Sequence, residues 1–266
     1  AARQAALAGA KVICVARDAQ KLEVFAKSVP SPIPVSYYSA DFSKTREVHS
    51  LLEKIQSEGH RFDVLVNNVG IQKHQMVLTD EALETSFVTN ILSHHILVKG
   101  LLESRVLKDN ATVIEVSSGG MYNHKMVPDD LNITESERYA GPRAYGLAKR
   151  AQVMTMSFWR EQQKHLQQKF YAMHPGWVNT ASVNRSMPRF VAILKSVLRD
   201  HDKGADTIVY LARERPEQHL KEAIWFDRKE RNTHIYAHTP SAVSSQEVVS
   251  KLNQLAGLKP SQATVV

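Results

Sequence analysis

The sequence holds one cysteine, Cys14, in 266 residues. An intramolecular disulfide and a thiolate metal cluster are both excluded, because each needs more than one sulfur. Cys14 stands within the apolar run 12–16, where it reads as a small buried hydrophobe. Long hydrophobic stretches are lacking too: none approaches the roughly 20 apolar residues that cross a bilayer as a helix. There is no basic block with interleaved aromatics. The net charge of +7 therefore reads as Lys and Arg dispersed over solvated helix faces, and no nucleic-acid partner is expected. The 12 histidines contain no His-Glu-x-x-His pattern, and His94 and His95 point in different directions on a predicted helix, so no metal site is expected. No internal repeat is visible.

A hydrophobic content of 43% and a charged content of 23% fit a globular chain with a sizeable core. Apolar runs at 11–16, 35–40, 64–67, 112–117, 170–174 and 223–227 read as strands. Periodic segments at 2–8, 45–58, 81–104, 144–167, 188–199 and 204–213 read as helices. Most of the strands are aliphatic without clean alternation, as expected when parallel strands are covered on both faces. The prediction is a single α/β domain over residues 1–240, Rossmann-like, with a doubly wound parallel sheet and a ligand site at the carboxyl ends of the strands. Residues 241–266 lose periodicity and read as a C-terminal tail that frays around one short amphipathic helix at 245–255.

Tyr145 and Lys149 stand four residues apart on the predicted helix 144–167, a spacing that puts both on one face. A neighbouring ammonium favours the phenolate, which lowers a tyrosine pKa from about 10 towards working pH and fits the phenol for proton transfer. Ordinary amphipathic helices also carry such pairs. The company is more telling: strand ends at Val64-Leu-Val-Asn67-Asn68-Val69-Gly70, Val113-Ile-Glu-Val-Ser117-Ser118-Gly119-Gly120 and His174-Pro175-Gly176-Trp-Val178-Asn-Thr180.

Taken in order, these residues resemble the short-chain dehydrogenase/reductase family from Gly9 to about Asp227. Ser117-Ser-Gly-Gly-Met121, Met173-His-Pro-Gly-Trp177, Phe226-Asp-Arg-Lys229 and Thr233-His234 resemble the dehydrogenase/reductase member 12 subgroup, a neighbour of the retinol dehydrogenase-like branch. The resemblance implies a hydride-transfer oxidoreductase of carbonyls and alcohols. Tyr145 would be its general acid or base, and Lys149 the group that tunes the tyrosine and bonds the nicotinamide ribose. Ser118, rather than Ser117, would stabilise the carbonyl oxygen, and Asn90 would support a proton relay. It further implies that Asp41 and Phe42 contact adenine, that Asn67 and Gly70 flank the adenosine, that Pro175 and Gly176 lie against the nicotinamide, and that Val178 and Thr180 sit near its carboxamide. In NAD-preferring relatives a carboxylate ends the strand where Ala16 stands here; Arg17 follows, and its planar fork suits a 2′-phosphate, so NADP(H) is the expected cofactor.

The chain departs from that family in three ways. The Gly-x-x-x-Gly-x-Gly turn and the strand before it are absent, and the sequence starts with Ala1 inside the following helix. A fragment of a longer product is expected, with weakened dinucleotide binding and a hole or changed pairing in mid-sheet. Val69 replaces the usual alanine, and the interval from Ser118 to Tyr145 is long. The alternative is a non-catalytic protein that keeps the fold and binds partners. The apolar side of residues 187–198 suggests a lipophilic substrate or a membrane contact, and the helices carrying Asn90 and Tyr145 offer a homodimer face. A cytoplasmic or membrane-associated intracellular location is expected.

Overall fold

The computed structural model describes residues 1–178, 198–240 and 242–259. Thr180 and the helix expected at 188–199, except for its last two residues, lie outside the described residues.

Strands and helices alternate through the first half of the chain. Helix α1 (Ala2–Leu7) precedes β1 (Ile13–Ala16), α2 (Ala19–Ser28), β2 (Ser36–Ser39), α3 (Thr45–Ser57) and β3 (Phe62–Asn67). The short α4 (Thr85–Phe87) runs through a wide π turn (Val88–Leu92) into α5 (Ser93–Glu103), and β4 (Leu107–Val116) follows. Helix α6 (Gly141–Gln162), β5 (Lys169–Met173), α7 (His201–Glu214), β6 (Ile224–Phe226), β7 (Lys229–Arg231) and α8 (Ser245–Leu255) complete the described order. Two elements go beyond the sequence reading. Helix α2 is fixed at its start by Asp18, whose side chain accepts from Lys21 N–H at 3.0 Å. Strand β7 returns antiparallel on β6 across Asp227 and Arg228, both at positive φ.

The fold is a single α/β domain. Strands β3, β4, β5 and β6 are parallel, in that order, with β7 at the edge; β1 and β2 pair in parallel as a separate two-stranded sheet. The division falls between β1 and β3, where the resemblance puts one further strand. Strand β4 is flanked by β3 and β5, and its Val113, Ile114 and Val116 are buried on both faces, which explains the apolar residues on either side of Glu115.

The main core lies between this sheet and helices α3, α5, α6 and α8. Helix α3 presents Val48, Leu51, Leu52 and Ile55, an i, i+3, i+4, i+7 stripe, all buried. It approaches α5 so closely that a Cβ on Gly100 would lie 2.6 Å from Leu52 Cδ1. The segment read as a tail supplies α8, capped by reciprocal hydrogen bonds between Ser244 and Glu247. Its Val248, Val249 and Leu252 enter the same core, and Asn253 reaches His95 of α5 at 2.9 Å. Helix α8 thus packs across the α5 and α6 side of the chain, the side read as a homodimer face. Among the described residues no helix is long and apolar enough to cross a membrane.

Candidate active site

Helix α6 carries Pro142 in its first turn, where its fixed φ and missing N–H are suited. Tyr145 and Lys149 follow on one face, with the Lys149 ammonium 5.6 Å from the Tyr145 ring centroid. Lys149 is buried, and its Nζ donates to the Val116 carbonyl at 2.9 Å, at the carboxyl end of β4. That anchor uses one of three ammonium protons and holds the charge beside the tyrosine.

Between them, Gly146 would cost a helix interior roughly 1 kcal/mol relative to alanine. The structure supplies the reason for it. A Cβ there would lie 2.0 Å from the His124 ring and 3.1 Å from the Gly120 carbonyl, so glycine lets the loop after β4 close down on α6. That loop carries the serine pair. Ser117 is buried and donates through Oγ to the Lys149 carbonyl at 2.6 Å. Ser118 starts the short 3-10 turn at Gly119–Asn123 and accepts from Gly120 N–H at 3.2 Å, which leaves its O–H to donate. The two serines are thereby divided between an internal tie and the more open side. Gly120 itself lies against the Tyr145 ring: a Cβ there would be 3.6 Å from Tyr145 Cε1.

Asn90 is fully buried in the π turn, a distortion that often marks functional positions. Its amide clamps the Ile71 backbone twice, accepting from N–H and donating to C=O, both at 2.7 Å. Gly70 sits between the two groups: a Cβ there would be 3.2 Å from Asn90 Oδ1 and 3.4 Å from Lys149 Nζ. Asn90, Gly70, Lys149, Tyr145 and Ser118 therefore cluster at the carboxyl ends of β3 and β4.

Other sequence-predicted residues go elsewhere. Phe42 is buried in the core, with its ring and that of His94 in an edge-to-face arrangement at 5.8 Å. The Asn67 amide is turned inward, donating to Glu115 Oε2 at 2.9 Å. Val178 is buried against α7: a Cβ on Gly204 would lie 2.5 Å from its Cγ2. Arg17 and Asp41 come together as an ion pair at 3.8 Å, with the Arg17 side chain 78% exposed. Burial pushes the Asp41 carboxyl up, but hydrogen bonds from Ser43 and the Arg17 and Lys44 charges leave it below the usual carboxylate range.

Beyond β5, Gly176 adopts φ +74°, and the Arg199 side chain lies where a Cβ would be, at 2.9 Å. Arg199 is paired with Asp227 and sits 4.7 Å over the Phe226 ring. His174 stacks on the other ring contact of Phe226 at 4.2 Å; burial, then the Arg199 charge, lowers its pKa to about 4, so it is neutral at physiological pH. A depression of about 280 Å³ beside Gln56, His60 and Arg105 opens at the amino-terminal ends of β3 and β4. Parallel α/β sheets bind ligands at the opposite ends, which is where Tyr145 stands.

Sequence reasoning missed four buried polar side chains beneath this cluster: His94, Glu115, Arg150 and Gln152. No local pattern marks them, because their partners lie 21 to 84 residues away.

Fold and site together define an α/β oxidoreductase. The family model for short chain dehydrogenases matches residues 1–128. Dehydrogenase/reductase SDR family member 12 of Homo sapiens is 34% identical over 219 residues, covering 81% of this chain and 68% of that protein. A crystal structure of an uncharacterized Mycobacterium paratuberculosis protein superposes with a TM-score of 0.72 at 23% identity, over 98% of this chain and 89% of the other. L-sorbose reductase from Gluconobacter frateurii, complexed with NADPH and L-sorbose, superposes with a TM-score of 0.62 at 18% identity, over 80% and 84%. The chain belongs to the short-chain dehydrogenase/reductase family, close to the member 12 subgroup.

Proposed function

We propose that this protein interconverts a carbonyl and an alcohol on a small lipophilic substrate, using NADP(H). The observation that carries the reading is the anchored pair: Lys149 is tied to Val116 C=O at 2.9 Å while its charge stays by the Tyr145 ring at 5.6 Å. In reduction, the Tyr145 hydroxyl gives its proton to the substrate oxygen as negative charge develops there. The Ser118 O–H donates to the same oxygen. Lys149, close to Gly70, offsets the negative charge left on the Tyr145 oxygen until solvent returns a proton to it, and would bond a ribose hydroxyl. In oxidation Tyr145 takes the proton back.

A nicotinamide dinucleotide supplies the hydride when bound. Features of this chain fit such a group. Gly70 leaves the space between Asn90 and Lys149 unfilled by a side chain, and Gly176 turns the backbone at the end of β5. Arg17, Asp41, Gly70, Lys149, Pro175 and Gly176 would hold it. Preference for the 2′-phosphate rests on Arg17, whose pairing with Asp41 at 3.8 Å is long and exposed and so easily exchanged for a phosphate. Arg17→Asp should lower the ratio of kcat/KM for NADPH over NADH by about tenfold or more, the worth of one charge-assisted bond. An unchanged ratio would remove Arg17 from cofactor selection.

Support for a lipophilic substrate comes from the exposed Trp177, which follows β5, and from Ile235 and Tyr236. The latter two follow a segment bound to α6 through Arg150. The deciding experiment uses the protein at full natural length. NADPH absorbance should fall on adding aliphatic or polycyclic aldehydes and ketones, faster than with polar sugars. Absence of both NADPH binding and turnover across that panel would overturn the reading.

A further inference from the structure

Glu115 is a charged residue in the middle of a parallel sheet. It pairs in register with Asn67 of β3 and Ala172 of β5, and it is 1% exposed. A carboxylate in such a place is costly unless every oxygen is hydrogen-bonded. Here both are. Oε1 meets His94 Nδ1 at 2.5 Å and Gln152 Nε2 at 2.5 Å, and Oε2 accepts from Asn67 Nδ2 at 2.9 Å. With an acceptor facing Nδ1, the His94 proton on that nitrogen points at the carboxylate. Gln152 Nε2 also donates to the Asn90 carbonyl at 2.7 Å.

Each donor belongs to a different element, and each element carries or adjoins a residue of the site. Asn67 ends β3 three residues before Gly70. His94 lies one helical turn beyond Asn90. Gln152 lies nearly one turn beyond Lys149 on α6. Glu115 itself precedes Val116, whose carbonyl anchors Lys149, and Ser117, whose hydroxyl binds the Lys149 carbonyl. An apolar side chain would satisfy the sheet equally well. It would not couple the strand end, the π turn and α6 to one point.

We infer that Glu115, through His94, Gln152 and Asn67, is a positioning residue that sets the height of Lys149 and Asn90 relative to Tyr145. All four are buried. The inference rests on the Tyr145–Lys149 reading above, and it extends that site inward by one layer of buried hydrogen bonds. A carboxylate accepts all three donors at once. An amide at the same place must turn an NH2 group towards at least one of them, so size is kept while the acceptor set is lost.

The test is Glu115→Gln in the full-length protein. Glu115→Gln should melt cooperatively and bind NADPH within about twofold of the parent. Its kcat should fall by about tenfold or more, as expected when reacting groups are slightly misplaced. The pH of half-maximal alcohol oxidation should shift. A second readout needs no turnover: ultraviolet absorbance titration of tyrosinate, taken as the difference from Tyr145→Phe in each background, should show the Tyr145 midpoint displaced in Glu115→Gln. If Glu115→Gln does not fold, His94→Gln, which keeps the carboxylate and changes only one donor, should show a displaced midpoint too. A folded variant with unchanged kcat and an unmoved tyrosinate midpoint overturns the inference. Failure of the parent to turn over any carbonyl would instead defeat the oxidoreductase reading, while the absorbance titration would still decide the positioning role.

Discussion

Tyr145→Phe should lower kcat by about a thousandfold, the scale of a lost general acid–base group, while NADPH affinity stays within about twofold. The substitution removes one oxygen and keeps the ring. The ring's packing against Gly120 and beside the Lys149 ammonium, 5.6 Å from its centroid, is retained. Lys149 keeps its bond to Val116 C=O, and Asn90 keeps its clamp on Ile71. None of the groups proposed to hold a dinucleotide is disturbed, yet the proposed proton donor to the substrate oxygen is gone. Fluorescence titration with NADPH and steady-state turnover separate the two quantities. A kcat within about threefold of the parent would remove Tyr145 from the chemistry, and a collapse of NADPH binding would show that the hydroxyl serves the fold or the cofactor.

Arg150→Met should destabilise the protein by about 3 kcal/mol, since buried carbonyls left without a donor cost about 1–3 kcal/mol each. Arg150 is almost completely buried, directly after Lys149. Its Nε donates to Met121 C=O and its NH2 to Thr233 C=O, both at 3.2 Å, and its NH1 lies 3.4 Å from the His234 ring. No carboxylate bonds it among the described residues, and burial lowers its pKa. The guanidinium acts as a backbone staple, joining the turn that carries Ser118 to the segment after β7. Methionine keeps the stem's volume and omits the staple, and the relief of burying a charge offsets part of the loss. The urea midpoint should fall accordingly. Because the staple holds the Ser118 turn, the carbonyl KM should rise more than the NADPH KM. An unchanged midpoint would mean that water or a shift of the chain replaces all three contacts.

How far the site could be read in advance depended on the range of the interactions. The Tyr145–Lys149 pair is local, one turn of one helix, and the periodicity of α6 was enough to align it. The strand ends at Asn67–Gly70 and Ser117–Gly120 were legible because buried parallel strands are apolar runs that stop at polar and glycine residues. Glu115 was hidden in such a run, where a lone carboxylate has no periodic signature and its partners sit on three other elements. Phe42 and Asn67 were read as cofactor contacts by position in a motif. Which way each side chain turns is decided by neighbours distant in sequence: His94 for the ring of Phe42, and Glu115 for the amide of Asn67. His94 and His95 do diverge as helix geometry requires, one to Glu115 and the other to Asn253.

The order of the strands and helices other than α2 and β7, the parallel α/β class, the short helix at 245–255 and the face shared by Tyr145 and Lys149 were all written in local periodicity, since each depends on side chains within a turn or a strand of one another. Tertiary contact alone decided that β1 and β2 form a sheet apart from β3 to β7, that α8 lies over α5 and α6, that Ser117 is tied inward while Ser118 stays more open, and that a carboxylate buried in β4 gathers three elements beneath the reacting groups. Those features arise from hydrogen bonds and close packing between residues far apart in the chain, where only the folded backbone brings donor, acceptor and glycine-sized gap together.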